Sequence, residues 1–244
     1  MTFSTDDFLG GQVRLKQYKK GLRATSDSVL LASAVSAKEN ETVLDVGTGN
    51  GVIMACLNAR IKNLSLTALD CQSDLLTLAQ QNAVLNHFSL ETILFDIQNR
   101  PSPIHGRQFH HVVSNPPFYT EPFQRADKQT AQAYQQQISI REWLEFCLRH
   151  IRAKGTLTLI HRPESLPEIL AVLNGKLGGI EIIPIAGKTK ESAKRIIIRG
   201  RMNSRKPLTI HPTLVLTTLK NRQTGLAESI FRKGKSLDNF IKTT

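Results

Sequence analysis

Tryptophan occurs once in the 244-residue chain, cysteine and tyrosine three times each, and 20 acidic residues face 32 basic ones. The three cysteines, Cys56, Cys71 and Cys147, are far apart and form no C-x-x-C pair. That spacing speaks against a disulfide scaffold and a cysteine zinc site, and it fits the cytoplasm. Among the seven histidines only His110 and His111 adjoin, and in an extended segment they point to opposite faces. No metal is therefore expected. No apolar run approaches the ~20 residues of a membrane-spanning helix, and residues 1–11 are polar and acidic, unlike a signal peptide.

The shortage of acidic charge is local. Residues 151–244 carry 18 basic and 6 acidic groups and alone account for the net charge of +12. Residues 1–40 carry 6 and 4, and residues 41–150 carry 8 and 10. Such segregation points to a polyanionic partner, a nucleic acid. The densest run is Lys188, Lys190, Lys194, Arg195, Arg199, Arg201, Arg205 and Lys206, with Glu191 its one acid. The candidate RNA contacts are Lys188, Lys190, Lys194, Arg195, Arg201, Arg205 and Lys206. Lys194 and Arg195 point to opposite faces of an expected strand over residues 193–200, so only part of the run can meet one ligand.

What the chain does have is Thr-Val-Leu-Asp-Val-Gly-Thr-Gly-Asn-Gly at residues 42–51. A β-branched and aliphatic run, three alternating glycines and an apolar helix pattern form the opening of a βαβ unit. Gly47, Gly49 and Gly51 let the backbone take positive φ and approach a ligand. The dinucleotide fingerprint G-x-G-x-x-G is absent, because Val52 stands where its third glycine belongs. Asp45, two residues before Gly47, would repel a pyrophosphate but suits an ammonium or sulfonium group. S-adenosylmethionine is thereby favoured over NAD.

Before this motif, residues 12–24 read as a basic arm or hairpin broken by Gly21, and residues 29–35 as a short helix with Ser26 or Asp27 available as N-cap. After it, residues 65–70, 91–95, 109–114 and 155–161 read as strands. Helices start near Ser73 and at two capping boxes, Ser139 to Glu142 and Ser165 to Glu168. Alternation of this kind predicts an α/β fold with a mostly parallel sheet covered by helices. Residues 179–185, 193–200 and 208–218 lack long intervening helices and suggest an antiparallel edge. Asp70 and Asp96 then close two successive strands, and Asn115 follows a third, so one site draws on sequence-remote strand ends. The chain divides into residues 1–40, an arm and helix packed on the main domain, and the domain proper, residues 41–244.

The strand over residues 109–114 runs into Asn115-Pro116-Pro117-Phe118. Both prolines lack an N–H and hold φ near −65°, and Pro117 forces Pro116 into an extended form. The Asn115 side chain and the Pro116 carbonyl are thus presented as acceptors beside the flat face of Phe118. An exocyclic aromatic amine needs this setting, because its lone pair is delocalised into the ring. Two acceptors on its hydrogens favour a tetrahedral nitrogen and stabilise developing positive charge, while Phe118 stacks on a base swung out of its helix.

Asp45-Val-Gly-Thr-Gly-Asn-Gly, Asp70, Asp96 and Asn115-Pro-Pro-Phe resemble the ordered motifs of amino-methylating class I S-adenosylmethionine-dependent methyltransferases. Residues 21–35, Gly-Leu-Arg-Ala-Thr-Ser-Asp-Ser-Val-Leu-Leu-Ala-Ser-Ala-Val, together with the segments at 193–199 and 231–237, resemble bacterial tRNA (adenine-N6)-methyltransferases acting beside the anticodon of a valine tRNA. The resemblance implies a Rossmann-like, mostly parallel seven-stranded sheet with an antiparallel C-terminal edge and a short N-terminal extension. It implies Gly47, Gly49 and Gly51 against the methionine part of the cofactor, with Asp45, Thr25 and Asp27 near it. Asp70 is implied on the ribose hydroxyls, and Asp96 with Ile97 at the adenine. Phe118 stands where many relatives carry tyrosine. Two other functions stay open: methylation of a protein glutamine, whose amide suits the same turn, and a non-catalytic RNA-binding module.

Overall fold

A computed structural model describes residues 2–20, 23–117 and 138–241. The chain starts with an antiparallel hairpin of β1 (Phe3–Phe8) and β2 (Val13–Tyr18), followed by α1 (Ser26–Ala34). The alternating part comprises β3 (Thr42–Val46), α2 (Val52–Arg60), β4 (Ser65–Asp70), α3 (Ser73–Leu85), β5 (Glu91–Leu94) and β6 (Phe109–Ser114). It continues through α4 (Ile140–Arg149), β7 (Ile151–His161), α5 (Leu166–Leu173), β8 (Leu177–Lys188) and β9 (Arg195–Met202). The short β10 (Thr209–Ile210) and β11 (Leu214–Thr217) and helices α6 (Gly225–Phe231) and α7 (Asp238–Ile241) finish it.

Strands β3 to β11 form one nine-stranded sheet in the order β10-β8-β9-β7-β6-β3-β4-β5, with β11 also on β8. Seven of them, β3 to β9, match the expected count, whereas the stretch expected over residues 208–218 as part of the antiparallel edge splits into the short β10 and β11, both parallel to β8. Only β9 runs against its neighbours, so the antiparallel edge is one reversed strand between β7 and β8. Central β3 explains the topology: Val43, Leu44 and Val46 are fully buried, as a parallel strand covered on both faces requires. One core layer joins α1, α2 and the hairpin residues Leu9, Val13 and Leu15 to one face of the sheet. The other joins α4 and α5 to the opposite face through Leu144, Phe146, Ile169 and Leu173.

Two helix starts differ in outcome. Ser139 caps α4 with the expected box, its Oγ accepting from the Glu142 N–H at 3.2 Å and Glu142 accepting from the Ser139 N–H at 3.0 Å. Ser165 forms no cap bond, because it sits in helical φ/ψ at the end of a 3-10 turn that starts at Pro163. Helix α1 begins at Ser26, three residues before the expected stretch over 29–35, and its N-cap is Thr25 instead of Ser26 or Asp27. Gly21, the break expected in the basic arm, lies outside the described residues. No helix among the described residues is long and apolar enough to cross a membrane.

Buried Arg199 of β9 ties the C-terminal segment to the sheet. It donates to Glu181 (2.8 Å), Asp238 (2.6 Å) and the Ala34 carbonyl (3.0 Å). Removing it takes the guanidinium away from two carboxylates, while Glu181 keeps His211 at 3.1 Å and partial exposure, 34% and 18%, softens the penalty. Arg199→Ala is expected to lower the denaturant midpoint by an amount equivalent to roughly 3 kcal/mol, and an unchanged midpoint would show the pairs to be dispensable.

Candidate active site

The parallel register brings the expected residues to one rim. Val46 of β3 is level with Leu69 of β4 on one side and with Ser114 of β6 on the other. Gly47, Asp70 and Asn115 therefore stand at the ends of three adjacent strands at the same height, with neighbouring strands ~4.8 Å apart. Asp96 and Ile97 come just after β5, the next strand out.

The glycine turn is held from four directions. Gly47 and Thr48 donate their N–H groups to the Leu69 carbonyl at 2.8 and 3.1 Å. Gly49 donates to Asp70 Oδ2 at 2.8 Å. Asn82 of α3 donates to the Asn50 carbonyl at 2.9 Å, and the Asn50 amide donates to Gln17 of the hairpin at 3.2 Å. Gly47, at φ +77°, admits no side chain: a Cβ there would lie 2.9 Å from the Trp143 ring. Trp143 in turn donates its indole N–H to Ser114 Oγ at 2.9 Å, and Ser114 donates to the Val46 carbonyl at 2.7 Å. The lone tryptophan thus roofs the turn and ties the ends of β3 and β6 together.

Two acceptors here have no partner among the described residues. Asp45 is fully buried; its Oδ2 accepts from Thr48 at 2.8 Å, while its Oδ1 is unsatisfied. Burial, reinforced by the nearby Asp70 charge, pushes this carboxyl up to about 7 despite the Thr48 bond. Asn115 Oδ1 is likewise buried without a partner, beside buried Pro116 and exposed Pro117. Each orphan costs about 1–3 kcal/mol unless something donates to it. A ligand carrying positive charge and an N–H donor removes both penalties.

The other expected residues are placed as follows. Asp70, buried, accepts from Gly49 and, through Oδ1, from the Gln72 N–H at 3.0 Å; burial outweighs these bonds and raises its pKa. Asp96, half-buried, accepts from the Gln98 N–H at 3.0 Å, and Ile97 is buried against the same core as Trp143. Thr25 is exposed, whereas Asp27 is spent on an ion pair with Arg195 at 2.6 Å, so two residues expected to meet different ligands neutralise each other. Phe118 lies outside the described residues. The basic run is not one patch: Arg195 opens β9 at the carboxyl rim, with Lys194 just before it and Lys188 and Lys190 at and beyond the end of β8, whereas Arg201, Arg205 and Lys206 lie at the opposite end of the sheet. Among the described residues no cluster of histidine, cysteine, aspartate or glutamate could hold a metal ion.

Trp143, Ser114, Gln17 and Asn82 were not singled out from sequence as site residues. Trp143 carried one usable signal, a lone tryptophan in the first turn of a capped helix, but that pattern equally marks a core position.

A family model described as the methyltransferase small domain matches residues 23–186. A tRNA1(Val) (adenine(37)-N6)-methyltransferase of Shewanella halifaxensis is 29% identical over 157 residues, 63% of this chain and 63% of the relative. A release factor glutamine methyltransferase of Koribacter versatilis is 40% identical over only 79 residues, 32% of this chain and 28% of the relative. Among solved structures, a predicted O-methyltransferase from Agrobacterium tumefaciens superposes with a TM-score of 0.72 at 24% identity, covering 86% of this chain and 97% of that one. At that identity the likeness establishes the fold alone, the Rossmann-like fold of class I methyltransferases.

Because Trp143 is the only tryptophan and touches Gly47, its emission reports on ligand binding at the turn. Positive charge beside Asp45 favours the ionised carboxylate. Binding of S-adenosylmethionine should therefore expel a proton and tighten as pH rises through about 7. Asp45→Asn should flatten that dependence. A pH-independent wild-type titration, or an equal response to NAD, would contradict the reading of Asp45.

Proposed function

Because the chain belongs to the methyltransferase small domain family, whose cofactor is S-adenosylmethionine, we propose that it methylates the exocyclic N6 amine of an adenine in tRNA. The observation that carries this reading is the unpartnered Asn115 Oδ1, buried at the start of a proline-stiffened turn one strand from the glycine loop. Adenine N6 is planar and weakly nucleophilic, since its lone pair is shared with the ring. Asn115 Oδ1 accepts one amine hydrogen and the Pro116 carbonyl the other. The nitrogen is then drawn towards tetrahedral geometry, with its lone pair free to face the methyl donor. The same two acceptors stabilise positive charge as it develops on nitrogen.

The cofactor supplies the activated methyl group. The chain supplies alignment: Gly47 under the Trp143 roof gives close backbone approach, Asp45 offers a carboxylate to the cationic end, and Asp70 and Asp96 are the assigned acceptors for ribose and adenine. Most of the rate comes from orientation and electrostatics, with no covalent intermediate on the enzyme.

Two features support tRNA as the substrate. The relatives matched over most of their length carry that activity in their names. Lys188, Lys190 and Lys194 stand at the same rim as Asn115, on the β8 and β9 side of it. Across β7 and β9 from β6, they are ~10–15 Å away, the reach of a phosphate backbone flanking a flipped base. Glutamine methylation in a protein is the second reading, favoured by the 40% identity to release factor glutamine methyltransferase around the shared motifs. It gives no role to the lysines.

Labelled S-adenosylmethionine incubated with total tRNA, followed by nucleoside analysis, is expected to yield N6-methyladenosine. Asn115→Ala should bind cofactor normally and lower the methylation rate ~100-fold or more. Label appearing in release factor protein and not in tRNA would select the glutamine reading. Loss of cofactor affinity with normal residual turnover would remove Asn115 from its assigned role.

A further inference from the structure

The end of the sheet opposite the site holds a second concentration of charge. Arg152 and Lys154 lie in an irregular stretch at the start of β7, where the register with β6 shifts and Lys154 takes φ +63°. Arg201 leaves β9 level with Thr156 and donates to the Lys154 carbonyl at 3.0 Å. Lys176 immediately precedes β8. The chain after β9 folds back over Gly178, whose missing side chain admits it: a Cβ there would meet the Ser204 carbonyl at 2.1 Å. A backbone bond from Gly179 N–H to the Lys206 carbonyl, 2.7 Å, fixes Arg205 and Lys206 in the same place. Close backbone packing therefore gathers six exposed cations on one rim.

These charges are uncompensated. None of the six forms an ion pair with a carboxylate among the described residues, whereas at the other rim Arg195 is paired with Asp27 and Lys194 lies 3.7 Å from Glu191. The nearest acids by register, Glu41 and Glu181, are engaged with His111 and with Arg199 and His211. Arg195 and Arg201 are six residues apart on β9, which puts the two rims ~20 Å apart.

We propose that the rim formed by Arg152, Lys154, Lys176, Arg201, Arg205 and Lys206 is a second RNA-backbone contact surface, gripping the body of the tRNA whose target adenine enters at the opposite rim. This rests on the proposed reading of the substrate as tRNA. An RNA touching both rims must continue at least ~20 Å beyond the target base, which the body of a folded tRNA does by a wide margin. The surface makes the enzyme prefer whole tRNA over the isolated anticodon stem-loop, and it acts on binding, far from the reacting atoms.

The test compares wild type with the triple variant Lys176→Glu, Arg205→Glu, Lys206→Glu on two substrates, total tRNA and a synthetic anticodon stem-loop. Unchanged Trp143 emission on S-adenosylmethionine binding confirms that the variant folds. The expected result is a KM for tRNA raised ~10-fold or more, with kcat retained and stem-loop kinetics unchanged. The plot of log affinity for tRNA against log salt should also be shallower by roughly 2. A second variant, Lys154→Glu, should weaken tRNA in the same direction by less. Wild-type tRNA kinetics in both variants, or an equal loss on the stem-loop, overturns the proposal while leaving the tRNA reading intact. A wild-type protein that neither binds nor methylates tRNA overturns both.

Discussion

The parallel register of β3 with β6 sets the chemistry of this protein. Val46 and Ser114 stand level, so Asp45 on β3 and Asn115 just past β6 are held on adjacent strands near the same rim, offset by two residues, each with a buried oxygen that no group among the described residues satisfies. Two such orphans in a core otherwise well paired are costly, and native proteins keep them where a ligand completes the set. The Trp143–Ser114–Val46 chain of hydrogen bonds keeps the two strand ends from relaxing apart. The site therefore exists before any ligand arrives, with its acceptors oriented and its glycine turn anchored to β4, α3 and the hairpin. Preorganisation of this kind suits a reaction whose rate depends on alignment rather than on a reactive side chain.

Charge follows the same geometry. The carboxyl rim combines buried acids beneath β3 and β4 with lysines beyond β8 and β9, so a cationic ligand and a polyanion can approach from different sides without competing. The single reversed strand, β9, distributes one basic stretch of sequence between both rims. It also carries Arg199, whose pairs with Glu181 and Asp238 secure the C-terminal helix against the sheet. Stability and the proposed RNA contacts thus share one strand without sharing residues.

Local signals were legible in the sequence, and long-range ones were not. The β3 strand, its glycine turn, the strand-end acids and the Ser139 capping box each depend on residues within a few positions, and all formed as expected. The Ser165 box failed because Pro163 starts a 3-10 turn that puts the serine in helical geometry. Trp143 to Ser114, Asn50 to Gln17 and Asn82 to Asn50 join residues 29, 33 and 32 apart, and nothing in composition or spacing links them. The pairing of Asp27 with Arg195 spans 168 residues and joins two residues that the sequence assigned to different ligands. Clustering along the chain misled for the basic run because a strand carries its two ends to opposite sides of a sheet.

The most direct test of the central claim is a crystal structure with S-adenosylhomocysteine and adenosine bound together. The homocysteine portion is expected against Gly47 and Asp45, and the adenosine amine is expected to donate to both Asn115 Oδ1 and the Pro116 carbonyl. An amine held elsewhere on the rim, with Asn115 Oδ1 still unpaired or bound only to the cofactor, would contradict it.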